Sequence, residues 1–107
     1  MDIQFKKGVI ELCVLSMLLE EDRYGYELAS VLSKKINISD GGIYPVLRRL
    51  KSEESVETYL SESSEGPPRK YYKLTQRGDR QRQDLEGDWQ VLREGVDSIV
   101  EGGTDNE

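Results

Sequence analysis

The residues best suited to chemistry are cations set among small and aromatic neighbours. Arg48, Arg49 and Lys51 stand between Gly41 and Ser52, a stretch with no acidic residue. Arg69, Lys70 and Lys73 form a second group, interleaved with Tyr71 and Tyr72. Guanidinium and ammonium groups neutralise phosphates, and arginine can reach base edges with a fork of hydrogen bonds. Tyrosines beside them add hydroxyl contacts to phosphate and sugar. Bond-breaking chemistry is poorly provided for. The chain has no histidine, hence no imidazole base and no imidazole metal ligand. Its one cysteine, Cys13, sits in an apolar run and reads as a packed thiol, and a disulfide within the chain is excluded. No carboxylate pair sits in a phosphate- or metal-binding motif. No enzyme activity, cofactor or metal is expected.

The first group of cations needs a helix to carry it. Ser39 is a good N-cap, whose hydroxyl can accept from an orphan N–H one turn on. Ile43, Leu47 and Leu50 follow at i, i+4 and i+7, one face of a helix. Tyr44, Arg48, Arg49 and Lys51 fall on the other faces, with Pro45 between them. Gly41 and Gly42 would let backbone approach phosphates, which a helix N-terminus favours. Such a helix suits the DNA major groove. An ordinary amphipathic helix with a solvated charged face shows the same pattern, so the surroundings decide.

Upstream, Phe5 to Glu20 reads as a helix that is apolar nearly all round and must be covered on more than one side. A turn at Glu20–Arg23 leads to a second helix from about Tyr24 to Lys35, with Leu28, Val31 and Leu32 inward. Ile36-Asn37-Ile38 links it to Ser39, giving the form of a helix-turn-helix. Downstream, residues 56–61 alternate with a period of two, residues 61–68 are a polar tip with Gly66-Pro67-Pro68, and residues 69–74 return as a strand. The fold class expected is mainly α with a two-stranded β wing, a winged helix-turn-helix.

Thr75 looks like the cap of a last helix, from about Gln76 to Glu101. Leu85, Trp89, Leu92, Val96 and Ile99 are spaced 4, 3, 4 and 3, an a/d seam over two heptads. Two heptads are marginal alone, and Gly87 and Gly95 weaken them. The seam should therefore dock on something. A second copy is the simplest partner, met by Phe5, Val9, Leu12 and Cys13 of the first helix; packing back on its own chain is the alternative. The expected division is residues 1–75 as the winged helix-turn-helix, 76–101 as a dimerisation helix and 102–107 as a frayed tail.

Charge agrees with this division. The chain carries 15 basic and 21 acidic residues, a net charge of −6. Residues 1–74 hold 11 basic and 12 acidic residues, and residues 75–107 hold 4 and 9. The acidity thus lies mainly away from the cationic groups. No apolar run approaches the ~20 residues of a membrane span. Asp2 and the lack of an A-x-A-like site argue against a signal peptide, so a cytoplasmic location is expected.

Three stretches together resemble the PadR family of bacterial transcriptional regulators. They are Tyr24-Gly25-Tyr26-Glu27-Leu28, Gly42-Ile43-Tyr44-Pro45-Val46-Leu47-Arg48-Arg49-Leu50, and Gly66-Pro67-Pro68-Arg69-Lys70-Tyr71-Tyr72-Lys73-Leu74-Thr75 with Gly78. The short last helix looks like the subfamily with a single C-terminal helix. The resemblance implies a winged-helix homodimer joined through that helix and the first. It also implies repression by operator binding, relieved in some members by phenolic acids or multidrug-type ligands. Trp89 looks like the place where some members sandwich a flat aromatic ligand at the dimer centre, with Asp88 beside it favouring a cationic one; plain packing of the dimer is the alternative for Trp89. A glycine commonly follows the recognition helix in the family, and Ser55 stands near that place here.

The expected function is therefore sequence-specific regulation of transcription on a double-stranded DNA operator. Tyr24, Ser39, Gly41, Gly42, Tyr44, Pro45, Arg48, Arg49, Lys51, Arg69, Lys70 and Lys73 would meet the duplex. A winged-helix module that binds protein instead of DNA is the alternative, favoured only by the net acidity.

Overall fold

The structure is a computed structural model that describes residues 3–63 and 65–102, with the side chains of residues 3–6 and of Asp40 left aside. Its elements run α1 (Ile3–Glu20), β1 (Arg23–Tyr24), α2 (Gly25–Ile36), α3 (Asp40–Ser52), β2 (Val56–Ser63), β3 (Gly66–Leu74) and α4 (Gln76–Val100). The helix-turn-helix is α2 and α3; the wing is β2 and β3. The Phe5 side chain and residues 103–107, which were assigned to an interface and a tail, lie outside the described residues.

The core forms where the apolar stripes of three helices meet the inner face of the wing. Ile10, Val14, Leu15 and Leu18 of α1 are buried against Leu28, Ala29 and Leu32 of α2 and Ile43, Val46, Leu47 and Leu50 of α3. Val56 and Tyr72 close it from the sheet. Cys13 and Leu85 pack against this same core, so part of the expected interface is used within the chain.

Three local readings need correction. The wing strands run on to Ser63 and start at Gly66, so most of the tip expected at residues 61–68 is strand, with Ser61 opposite Arg69 and Ser63 opposite Gly66. Ser39 does occupy the N-cap of α3, but its hydroxyl makes no cap bond. Its carbonyl accepts from the Gly42 N–H at 2.9 Å instead. The wing also has a third strand. β1 pairs antiparallel with β3, giving the order β1-β3-β2, with Arg23 opposite Tyr72 and Tyr24 opposite Tyr71. The turn expected at Glu20–Arg23 ends in this two-residue strand, because the Tyr24 ring can then join a row of aromatics.

The joint between α3, the wing and α4 is tight. Glu54 takes φ 63°, a left-handed conformation in which a side chain is strained. A non-glycine residue, Glu54, is thus the left-handed residue that follows α3. Ser55 is buried, and its carbonyl accepts from the Thr75 N–H at 3.2 Å. The Thr75 hydroxyl donates toward the Glu54 and Ser55 carbonyls, at 2.7 and 3.0 Å, and accepts from the Gly78 N–H at 3.0 Å. That last bond is the helix cap expected of Thr75. A Cβ on Gly78 would lie 2.0 Å from the Ser55 carbonyl oxygen. Only glycine lets the first turn of α4 sit against this carbonyl.

Two outcomes follow for equilibrium denaturation. Gly78→Ala should cost about 3 kcal/mol, the upper part of the range for overpacking, since the obstructing atom is backbone. Glu54→Gly should gain about 0.5–1 kcal/mol, the relief of left-handed strain less the greater freedom of glycine in the unfolded chain.

Candidate nucleic-acid interface

Helical geometry sorts the cations of α3. Ile43, Val46, Leu47 and Leu50 define the buried face. Tyr44, Arg48 and Lys51, at i, i+4 and i+7, make a continuous exposed stripe along one flank. Arg49 lies on the other flank. Its guanidinium donates to Glu11 of α1 and to Glu53 Oε2 at 3.2 Å. Glu11 is buried at 4 % exposure within an otherwise apolar helix. Burial, and then the Glu53 carboxylate, raise its pKa above the ordinary value; Arg49 lies between the two carboxylates. Arg49 therefore belongs to the joint between α1 and α3 rather than to the exposed stripe.

The wing sorts its cations by strand alternation. Tyr72 faces the core, so Tyr71, Arg69 and Lys73 leave the opposite face of β3. Lys73 is paired in register with Glu57 of β2, on the side away from α3. Arg69 escapes that fate because its guanidinium bends over the Tyr24 ring, 4.6 Å from the centroid, within cation–π range. Lys70, of the other parity, points toward α3.

These side chains converge on one cleft of ≈ 420 Å³, between the start of α2, the exposed stripe of α3 and the base of the wing. Tyr24, Gly25, Tyr26, Tyr44, Arg48, Arg69, Lys70 and Tyr72 line it. Three of these residues are cationic and none is acidic, in a chain that is acidic as a whole. A Cβ on Gly25 would meet Tyr72 and Tyr44 at 3.5 and 3.6 Å, an ordinary contact. Of the expected contact residues, the cleft gathers Tyr24, Tyr44, Arg48, Arg69 and Lys70. Ser39, Gly41, Pro45 and Lys51 are exposed and Gly42 is half-buried, all outside its lining. Tyr26 and Tyr72 were missed as lining residues, although the Tyr24-Gly25-Tyr26 spacing puts two phenols at one helix start.

The outer face of the wing carries a row of tyrosines across all three strands. Tyr24 and Tyr71 rings are 5.7 Å apart and Tyr71 and Tyr59 rings 5.6 Å apart, the latter stacked. Tyr26 stacks on Tyr24 at 6.3 Å. The Tyr59 hydroxyl donates to Asp22 Oδ2 at 2.7 Å, tying the far strand to the turn before β1.

Among the described residues, no group of three or more His, Cys, Asp or Glu side chains could hold a metal ion. No described helix is long and apolar enough to cross a membrane.

Comparison with known proteins agrees with this architecture. Residues 14–84 match the model of the transcriptional regulator PadR-like family. The chain belongs to the PadR-like family. It is 39 % identical to a PadR-like transcriptional regulator of Bacillus cereus, over 92 % of this chain and 98 % of that one, with a TM-score of 0.81. The protein smu.1704 of Streptococcus mutans is 31 % identical over 94 % of each chain, with a TM-score of 0.84. An uncharacterized protein of Lysinibacillus sphaericus is 34 % identical over 90 % of this chain and 92 % of its own. The PadR-like chain thus carries a transcriptional regulator's winged helix, and its cationic cleft lies between α2, α3 and the wing.

Two phenols offer a check on the geometry. The hydrogen bond to Asp22 foremost raises the Tyr59 pKa, and burial foremost raises that of Tyr72, which Tyr44 raises further and Arg48 lowers. A raised folded-state pKa means that these groups favour the fold while neutral. Their contribution holds below the ordinary tyrosine pKa of about 10 and is lost as pH climbs through the raised values. Titration followed by phenolate absorbance should show two late-ionising tyrosines, and Asp22→Asn should return Tyr59 toward the ordinary value. A single unshifted step for all six would contradict the assigned contacts.

Proposed function

We propose that this protein is a cytoplasmic repressor that binds a pseudo-palindromic operator as a homodimer. The observation that carries the reading is the cleft in which Arg48 of α3 meets Arg69 and Lys70 of the wing with no acidic lining residue. In the complex, α3 enters the major groove, with Tyr44, Arg48 and Lys51 toward the duplex and the Ser39–Gly42 turn near the backbone. Arg69 and Lys70 meet flanking phosphate or the minor groove. Two copies set their α3 helices about 34 Å apart, one turn of DNA.

Support for the second copy comes from α4. Beyond Trp89, every side chain up to Val100 is exposed, including Leu92, Val96 and Ile99 on one stripe at 47–66 %. Covering apolar surface of this kind contributes on the order of 25 cal/mol per Å². Val9 and Leu12, half-buried on α1, would join the covered surface in the dimer. Trp89, half-buried at the head of the stripe, would face its counterpart there. A flat aromatic effector would stack on it, and exposed Asp88 would favour a cationic one; quenching of the single tryptophan by such compounds is the measure.

The test begins with duplexes selected from a random pool. Operator affinity should fall steeply between about 50 and 200 mM salt, with a log–log slope of about 0.9 per phosphate neutralised. Arg69→Ala and Lys70→Ala should each lower that slope by about 0.9 and weaken operator and random duplex alike. Leu92→Asp with Val96→Asp should yield a single subunit by sedimentation and lose operator binding. Affinity indifferent to salt would sink the reading.

A further inference from the structure

Resting on the operator-binding reading above, we infer that Arg49 is a positioning residue of the recognition helix and that Glu11 is its anchor, together setting how α3 is presented to DNA. Three observations carry this. First, Arg49 sits on the flank of α3 opposite the Tyr44–Arg48–Lys51 stripe, so in the proposed docking its head does not face the duplex. Second, its guanidinium is shared between two carboxylates on two elements, Glu11 of α1 and Glu53 at the C-cap of α3. Its charge is spent within the protein. Third, Glu11 is the buried acid of an apolar helix, and no other cation is bonded to it among the described residues.

Such a pair is a costly way to join two helices. Apolar side chains of similar size would hold α1 and α3 together at least as firmly. What the ion pair adds is direction. A fork of N–H donors meeting a carboxylate fixes rotation and axial offset, whereas apolar contacts allow sliding. The third partner, Glu53, lies one turn beyond Arg49 and holds the arginine stem along the axis of α3. Direction matters here because Arg48, one residue away, must meet the wing's Arg69 and Lys70 across a single cleft. A small rotation of α3 would move Arg48 out of register with them. The effect should appear as lost discrimination between sequences, since bulk attraction to phosphate depends on charge and tolerates a small misalignment.

The experiment compares Glu11→Gln, Arg49→Met and the double variant with the unmodified protein. Binding is read by fluorescence anisotropy on the selected operator and on random duplex, across a salt series. Both single variants should lose tenfold or more in operator affinity while random-duplex affinity stays within about twofold and the salt slope is unchanged. The double variant should be no worse than Arg49→Met alone, as expected of two residues acting as one unit. Arg48→Ala serves as the contact control, lowering the slope by about 0.9. If Arg49→Met also lowers the slope by that amount, Arg49 is itself a phosphate contact and the inference fails. If Glu11→Gln binds DNA more tightly with a steeper slope, Glu11 merely masks a free cation and the inference fails as well. Hydrogen exchange of the α3 amides without DNA tests the anchor independently. Faster exchange from Ile43 to Leu50 in Glu11→Gln is expected, and unchanged exchange overturns the anchor. Failure of the unmodified protein to bind any duplex would instead overturn the operator reading, with the exchange result still deciding whether Glu11 holds α3.

Discussion

The structure depends on one carbonyl. The backbone oxygen of Ser55 receives the Thr75 amide, lies within reach of the Thr75 hydroxyl, and has the bare face of Gly78 pressed against it. Four elements end or begin within a few residues of that atom. The helix that carries Arg48 stops just before it, the wing leaves and returns beside it, and the long last helix starts on it. The angle between the exposed stripe of α3 and the cations of the wing is therefore set at this joint. A buried carbonyl without partners would be costly, so the joint has little freedom to loosen by degrees. The Ser55 side chain bonds to Gln81 one turn into α4, adding a second tie between the same parts.

Around that joint the molecule separates two kinds of charge. Paired charges hold helices in place: Arg82 lies between Asp79 and Glu86, and Arg49 between Glu11 and Glu53. The cations that line the cleft have no carboxylate among its lining residues. A net negative chain can thereby gather three cations in one cleft, because part of its acids are paired internally or lie along α4, while Glu57, Glu62 and Glu65 stand exposed elsewhere on the wing. The tyrosines support the arrangement from behind, since Tyr24 gives the Arg69 guanidinium an aromatic face on which to rest.

Much of this was legible in the sequence, and the exceptions have physical causes. Periodicity is a local signal, and the elements that depend on it alone fall close to where it puts them. The apolar stripe of α3, the alternation of β2 and the extent of α4 are all of that kind. The cap at Thr75 was equally local. What escaped were features made by pairing across distance. β1 is two residues long and exists only because β3 offers it an edge. The tyrosine row needs the register of three strands, which no single stretch encodes. The role of Arg49 was half visible, since Glu53 follows at i+4 and the spacing from Ile43 puts Arg49 off the exposed stripe. Its decisive partner lies 38 positions away in an apolar helix, where a lone acid was easily passed over. The left-handed conformation of Glu54 went unread, because glutamate gives no sign of the conformation that glycine would advertise.

The short third strand has a mechanical consequence. Through Tyr24 and Tyr71 it fastens the entry of α2 to the middle of the wing, and the Asp22 carboxylate reaches across to the far strand. Wing, helix-turn-helix and the intervening turn are thus tied to one another at these contacts. In the operator-binding reading proposed above, this unit would change its target only by exchanging side chains on its surface, and tolerance to altered spacing between two halves of a target would reside in α4.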